Sequence, residues 1–277
     1  MITLALAALQ PGQVVLARLV AGALLLWMVL RIRHVALPSP LRQPTLWRSY
    51  GILALIGNVL PFYLIAWGQQ IVASGTAGMI MAIMPLTTTV LAHFMLSDEK
   101  LTPLRLVGVL LGVSGVWILL TPEQSGHPDE WLAALAILAA ALLYSLNAVL
   151  ARRLPSSGPL PNALGVLVCA TMMSLPLAFT QMPTLDLPPL TAQAGFAVLW
   201  LGIGGTGLAT LLYFKIVDQA GSTFLANINY LIPVIAFFSG IAILNEPLTL
   251  RSLVALVLVL SGIGLSSRQR RLAEHTN

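Results

Sequence analysis

The stretch that decides the fold is "MLSDEKLTPLRLVGVLLG" at residues 95–112, in which a charged cluster stands between two apolar runs. A similar stretch, "ILNEPLTLRSLVALVLVL", follows at 243–260. Only 8% of the 277 residues are charged and 58% are hydrophobic, whereas roughly 25% of the residues of a soluble domain are charged. A soluble fold of this composition would expose large apolar patches, so the sequence predicts an integral membrane protein.

Nine apolar segments approach the length of about 20 residues that a helix needs to cross the hydrocarbon core. The connections between them are short and carry prolines and charges. Because lipid offers the backbone no hydrogen-bond partners, runs of this length are predicted to be helices, and the fold class is all-α. The segments are 13–31, 49–70, 75–96, 103–121, 131–151, 161–181, 194–216, 222–244 and 250–267.

The distribution of charge predicts the orientation of these helices. Lys and Arg collect on the cytoplasmic side of membrane proteins. If the connection 31–48 is cytoplasmic, alternation places all fourteen Lys and Arg residues inside except Arg18 and Arg251. The C-terminus is then cytoplasmic. The net charge of +5 follows from this topology and requires no nucleic acid as a partner.

The two quoted stretches belong to an internal repeat. A shift of 147 residues places "EKLT" at 99–102 on "EPLT" at 246–249, and a shift of 148 places Pro85 on Pro233. The first turn is predicted on the cytoplasmic side and the second outside, so the halves are predicted to be inverted in the membrane. Inverted repeats are typical of transporters in which two bundles rock about a site near the midplane.

The segment "PFYLIAWGQQIVASGTAGMIMAIMPLTTTVLAHFMLSDEKLTPLRLVGVLLGVSGVWILL" at 61–120 resembles the EamA-like branch of the drug/metabolite transporter superfamily. The segment "YFKIVDQAGSTFLANINYLIPVIAFFSGIAILNEPLTLRSLVALVLVLSGIGL" at 213–265 is similar to its second copy. The resemblance implies ten helices in two inverted five-helix repeats, location in a bacterial inner membrane, and transport of small metabolites. We expect the repeats at 1–122 and 130–268, followed by a cytoplasmic tail at 269–277.

The start of the chain departs from that pattern. The nine residues "MITLALAAL" would cross only about half of the hydrocarbon core, so about nine spans are expected and the first helix of ten is largely missing. Either the start codon is misplaced, or the product is truncated with its N-terminus outside. The lost helix corresponds to 131–151, so we expect an incomplete cavity wall.

The acidic turns have a structural interpretation and a functional one. Thr102 and Thr249 are predicted to be N-caps of the helices that follow them. Asp98, Glu99 and Glu246 precede these helix N-termini, where the helix dipole stabilises negative charge. This structural role is favoured over a role of the carboxylates in gating.

Polar residues inside the spans are the candidate substrate contacts. Cavities for organic solutes combine apolar walls with a few polar anchors, and these residues share helix faces at spacings of three or four. The alternative is that each hydrogen-bonds only between helices. The predicted substrate-binding residues are Arg18, Asn58, Tyr144, Asn147, Thr206, Tyr213, Asn227 and Tyr230.

Arg18 is the one cation well inside a predicted span. A charge at the centre of a helix costs about 2.5–3.5 kcal/mol on insertion scales. Two interpretations stay open: the side chain snorkels to the outer interface or contacts the backbone, or it meets an anionic group of the substrate.

Pro85 and Pro233 interrupt matching helices and are the predicted hinges, because breaks at corresponding positions mark the mobile region of inverted-repeat transporters. Gly202, Gly204, Gly205 and Gly207 loosen a third helix, and for these glycines close helix packing is the favoured interpretation.

No catalytic constellation is evident. The four histidines and the single Cys169 have no metal-ligand spacing, and the sequence has no P-loop and no Ser-His-Asp arrangement within the spans. No cofactor, metal or catalytic residue is predicted. The carboxylates, apart from Asp218 at a helix end, fall in connections, so a proton relay is not supported.

The sequence therefore predicts a secondary transporter that exports small organic metabolites, such as amino acids or related compounds, by alternating access. Its expected partners are the substrate and the lipid bilayer, with a homo-oligomer left open. The alternatives are an integral-membrane enzyme and an inactive truncated membrane protein.

Overall fold

The computed structural model describes residues 1–96, 101–120, 129–181, 191–216, 234–235, 238–239, 242 and 249–274. Within these ranges the regular structure is entirely helical. The helices are α1 (Ile2–Leu6), α2 (Pro11–Ile32), α3 (Pro44–Ala54), α4 (Leu60–Gly68), α5 (Ser74–Met81), α6 (Met84–Met95), α7 (Pro103–Leu120), α8 (Glu130–Arg153), α9 (Pro159–Thr180), α10 (Ala192–Gly202), α11 (209–216) and α12 (Leu250–Glu274).

Seven helices of the described residues are long and apolar enough to cross a membrane. They match seven of the predicted segments, which confirms the prediction of a helical membrane protein. The predicted segment 250–267 coincides with a shorter apolar helix, Leu250–Ser266, within α12. Most of the predicted segment 222–244 lies outside the described residues. The seven candidate spans are Pro11–Ile32, Pro44–Gly68, Ser74–Met95, Pro103–Leu120, Glu130–Arg153, Pro159–Thr180 and Ala192–Ile216.

Two of these spans contain a wide, π-helical turn in their interior. The first π segment, Leu55–Val59, joins α3 to α4, and the second, Ile203–Leu208, joins α10 to α11. Pro61 follows the first π segment and cannot donate a backbone hydrogen bond, which breaks the regular helical ladder. The second π segment contains three glycines, "IGGTGL", which tolerate irregular backbone.

A third span changes its hydrogen-bond pattern between α5 and α6, where Ala82 and Ile83 keep helical torsions but donate to the residue three positions earlier. Helix α5 ends at Met81 and α6 begins at Met84, with Pro85 in the first turn of α6. Proline is favoured at this position because the first helical N–H groups have no intrahelical acceptor. The predicted hinge at Pro85 therefore lies just after this change of hydrogen-bond pattern.

The predicted N-caps are present in α7 and α12. The amide of Arg105 donates to Thr102 Oγ1 at 3.5 Å, and the amide of Ser252 donates to Thr249 Oγ1 at 3.1 Å. Both threonines thus satisfy an orphan N–H of the first turn. The acidic residues Asp98, Glu99 and Glu246 lie outside the described residues.

The chain forms two compact units. Unit 1 comprises residues 1–70 and 150–225, and unit 2 comprises 71–149 and 226–277. In unit 1, α2 packs on α9, α10 and the second π segment, while α9 packs on α3 and the first π segment. The core of unit 1 thus consists of two uninterrupted helices against two interrupted ones.

Unit 2 is organised by close packing between α7 and α12. A Cβ atom added to Gly108 would lie 2.5 Å from the carbonyl oxygen of Gly262, and one added to Gly115 would lie 2.9 Å from the carbonyl oxygen of Ala255. Small residues let membrane helices approach this closely. Arg251 of α12 donates from Nε to the carbonyl oxygen of Ile118 at 2.8 Å, near the C-terminus of α7, where carbonyls lack helical partners.

Two glycines of α12 provide a matched test of this packing. An added Cβ at Gly262 would overlap the carbonyl oxygen of Gly108, whereas one at Gly264 meets nothing within 4 Å. Gly262→Ala should lower the free energy of unfolding by about 1–3 kcal/mol through overpacking. Gly264→Ala should leave it unchanged or raise it by up to about 1 kcal/mol through helix propensity. Thermal unfolding in detergent measures both, and equal effects would contradict the packing described.

Candidate functional site

A buried arginine lies in the interior of unit 1. Arg18, two turns into α2, has only 7% of its surface exposed. Its Nε donates to Thr206 Oγ1 at 2.9 Å, and its Nη2 lies 3.5 Å from the carbonyl oxygen of Gly205. Its guanidinium carbon lies 3.7 Å from the centroid of the Phe62 ring, within the range of a cation–π contact. The guanidinium is therefore held by protein groups in the interior of unit 1.

Thr206 connects Arg18 to the backbone of the second π segment. The hydroxyl of Thr206 is fully buried and donates to the carbonyl oxygen of Leu201 at 2.8 Å. The hydroxyl oxygen of Thr206 also accepts the hydrogen bond from Arg18. One side chain thus satisfies a carbonyl next to the π segment and a buried cation.

Asn58 occupies the first π segment, where it is 7% exposed. The shift of 148 residues that relates Pro85 to Pro233 places Leu55 on Ile203, the first residues of the two π segments. It also places Asn58 on Thr206. Two candidates chosen from sequence therefore occupy equivalent positions in two locally widened helices.

Tyr213 and Gln69 each bury a polar atom that no described residue satisfies. In the described part of the chain, neither the hydroxyl oxygen of Tyr213 nor Oε1 of Gln69 has a hydrogen-bond partner, although both atoms are buried. An unsatisfied buried polar atom costs about 1–3 kcal/mol. Buried polar atoms without a hydrogen-bond partner are rare in native proteins, and binding of a ligand is one physical explanation for them.

Unit 2 carries a polar cluster next to the junction between α5 and α6. Ser145 Oγ of α8 lies 2.6 Å from Thr87 Oγ1, 2.9 Å from the carbonyl oxygen of Ala141 and 3.0 Å from that of Met84. Neighbouring Tyr144 is partly buried. Asn147 has a buried Oδ1 with no hydrogen-bond partner among the residues described. The cluster therefore combines hydroxyl groups that bond to each other with an amide oxygen that has no partner among the described residues.

Three candidates cannot be placed. Asn227, Tyr230 and Pro233 lie outside the described residues. In the ranges that the structure describes, no group of three or more His, Cys, Asp and Glu residues could hold a metal ion.

A polar network around Tyr50 in unit 1 is not predicted from the sequence. Tyr50 Oη is 2.6 Å from Ser157 Oγ and donates to Asn162 Oδ1 at 3.2 Å. Tyr50 is almost completely buried. Its signal in the sequence is weak because Tyr50 stands at the edge of a predicted span, where aromatic residues usually anchor to the interface. Phe62 was also missed, although it lies one turn after Asn58.

Long apolar helices, interior breaks and buried polar groups define a polytopic helical membrane protein with the interrupted spans found in secondary transporters. The EamA-like transporter family model matches residues 1–121 and 131–268. The chain therefore belongs to the EamA-like transporter family, within the drug/metabolite transporter superfamily.

Named relatives agree with this membership. The uncharacterized transporter YoaV of Bacillus subtilis (strain 168) is 25% identical over 254 residues, covering 90% of this chain and 85% of that protein. Protein PecM of Dickeya dadantii (strain 3937) is 25% identical over 234 residues, covering 82% of this chain and 77% of PecM. A protein crystal structure with 20% identity matches with a TM-score of 0.70 over 96% of this chain and 91% of its own, which shows the shared fold.

Two tyrosines of unit 1 test which buried polar groups are structural. Tyr213→Phe removes a hydroxyl that has no partner among the described residues, so the protein should unfold at the same temperature or a higher one. Tyr50→Phe removes a hydroxyl bonded to Ser157 and Asn162 and should cost about 1–3 kcal/mol. Thermal unfolding of both variants in the same detergent measures the difference. Destabilisation by Tyr213→Phe as large as that by Tyr50→Phe would show that the Tyr213 hydroxyl is satisfied within the fold.

Proposed function

We propose that this protein exports small organic metabolites, such as amino acids or related compounds, across a bacterial inner membrane by alternating access. The two moving parts are inverted repeats at 1–122 and 130–268, followed by a cytoplasmic tail at 269–277. Membership in a transporter family supports transport itself. The direction, the substrate class and the inverted repeat are the proposal.

The contact between α7 and α12 is the observation that carries the inverted repeat. The 147-residue shift relates Gly108 to Ala255 and Gly115 to Gly262. The observed close approaches pair Gly108 with Gly262 and Gly115 with Ala255. If each residue is replaced by its counterpart in the other half, the pair of Gly108 and Gly262 becomes the pair of Ala255 and Gly115. Contacts that are exchanged in this way are expected across a two-fold axis. The helices run antiparallel, because a higher number in α7 faces a lower number in α12.

Unit 1 supplies an independent argument of the same kind. By order along the chain, α2 corresponds to α9, and the span with the first π segment corresponds to the span with the second. Helix α2 packs on the second π segment, and α9 packs on the first. The contact of α2 with the second π segment therefore corresponds to the contact of α9 with the first, with the two halves exchanged. A two-fold axis relates contacts in this way.

Buried polar atoms support a small organic substrate. The hydroxyl of Tyr213 and Oδ1 of Asn147 are buried and have no hydrogen-bond partner in the described part of the chain. Binding sites for organic solutes present a few such groups among apolar side chains. We assign direct substrate contacts to Asn58, Tyr144, Asn147, Tyr213, Asn227 and Tyr230, and hinge roles to Pro85 and Pro233.

Arg18 and Thr206 differ from these residues because they bond to each other and to backbone oxygens of the second π segment. We therefore assign them to the support of the site. No Asp or Glu lies in the interior of the seven described spans; Glu130 is the first residue of its helix. This supports transport driven by a substrate gradient or by exchange, without a proton relay in those spans.

Cysteine labelling tests the inversion. Thr102→Cys and Thr249→Cys, each in a Cys169→Ser background, place thiols at the N-caps of α7 and α12. A membrane-impermeant maleimide should label Thr102→Cys only from the cytoplasmic side and Thr249→Cys only from the outside, because inverted repeats place equivalent turns on opposite faces. Labelling of both from one side would exclude the inversion.

Transport by the purified protein in proteoliposomes tests the substrate class. We expect exchange of at least one member of a panel of labelled amino acids, their derivatives and sugars. Asn147→Leu and Tyr213→Phe should each raise the half-saturation concentration by about tenfold, the equivalent of one lost hydrogen bond. Thr180→Val, at the exposed end of α9, is the control and should not change it. No movement of any panel member would refute the proposed substrate class.

A further inference from the structure

Arg18 contacts both interrupted helices of unit 1. It bonds to Thr206 and Gly205 in the second π segment, and its guanidinium lies over Phe62, one turn after Asn58 in the first. At this level the backbones are close, since a Cβ added to Gly22 would lie 3.0 Å from the amide nitrogen of Gly207. One turn after Arg18, the backbone of α2 is therefore in direct contact with the backbone of the second π segment.

The hydrogen bond from Arg18 also directs the Thr206 proton. A threonine hydroxyl has a single proton, and in Thr206 the oxygen accepts from Arg18 Nε while the proton goes to the carbonyl oxygen of Leu201. Leu201 lies just before the second π segment, where the hydrogen-bond ladder changes register. Arg18 thereby stabilises the hydrogen bond from Thr206 to the carbonyl oxygen of Leu201.

Only a guanidinium can make these contacts together. Its planar fork donates in several fixed directions and stacks on an aromatic face, whereas a lysine ammonium is a compact point charge. Burial adds to this requirement, because a charge inside a span needs all of its hydrogen bonds from the protein.

We propose that Arg18 is a positioning residue for transport: it holds the second π segment in its wide turn and ties it to the helix that carries the first. The two interrupted helices then bend together against α2. Arg18 has this role in the substrate-free protein, and the role does not depend on which substrate is transported.

Hydrogen exchange of the detergent-solubilised protein tests the proposal without any substrate. In Arg18→Lys, backbone amides of residues 203–209 should exchange about tenfold to a hundredfold faster, the factor that losing one hydrogen bond to a charged group produces. Thr206→Val should give the same result, and the double variant should be no faster than the faster single one. Thr206→Ser keeps the hydroxyl and should behave as the parent protein.

Arg31→Lys is the matched control, because Arg31 is exposed at the far end of the same helix. It should leave the exchange of residues 203–209 unchanged. Additive acceleration in the double variant, or unchanged exchange in Arg18→Lys, would overturn the proposal. If Arg18→Lys fails to fold, Thr206→Val against Thr206→Ser still decides whether the hydroxyl holds the π segment.

Transport of alanine and of glutamate in proteoliposomes separates positioning from substrate contact. A positioning role predicts that Arg18→Lys and Thr206→Val lower the maximal rate for both amino acids at unchanged half-saturation. A higher half-saturation for glutamate alone would mean that Arg18 binds the extra carboxylate, which overturns the proposal. If neither amino acid moves, the hydrogen-exchange result alone decides the proposal, and the substrate class is refuted only when no member of the wider panel moves.

Discussion

The structure depends on one constraint: in hydrocarbon, every backbone polar group must find its partner within the protein. A regular helix meets this constraint without help, but an interrupted helix does not. At the second π segment the partners are Thr206 and Arg18. Where α7 ends, Arg251 bonds to a late carbonyl. At these two places a polar side chain thus bonds to a backbone oxygen of an irregular stretch or a helix end.

The two π segments differ in their chemistry. The first π segment precedes Pro61, which removes a hydrogen-bond donor, while the second is rich in glycine, which tolerates a wide turn. Their positions correspond although their residues do not.

Hydrogen-bond partners separate the polar residues that the sequence grouped together. Arg18 and Thr206 are engaged with each other, so their burial is compensated. Tyr213 and Asn147 each bury an oxygen that no described residue satisfies. Since an uncompensated buried oxygen weakens the fold, these two positions are the stronger candidates for direct substrate contact. Spacing along a helix could not make this distinction, because it gives the face of a residue and not its partner.

The sequence by itself determined the membrane class, seven of the spans, the N-caps Thr102 and Thr249, and the irregularity next to Pro85. These depend on local properties: length, hydrophobicity, capping chemistry and the missing proline N–H. Only the tertiary structure decided which groups Arg18 contacts and which helix packs on each π segment. It also decided that Tyr50 bonds to Ser157 and Asn162 in unit 1. These depend on contacts such as Arg18 with Thr206, 188 residues apart. Such contacts follow from packing between helices, and a helical pattern in one segment does not specify its neighbour.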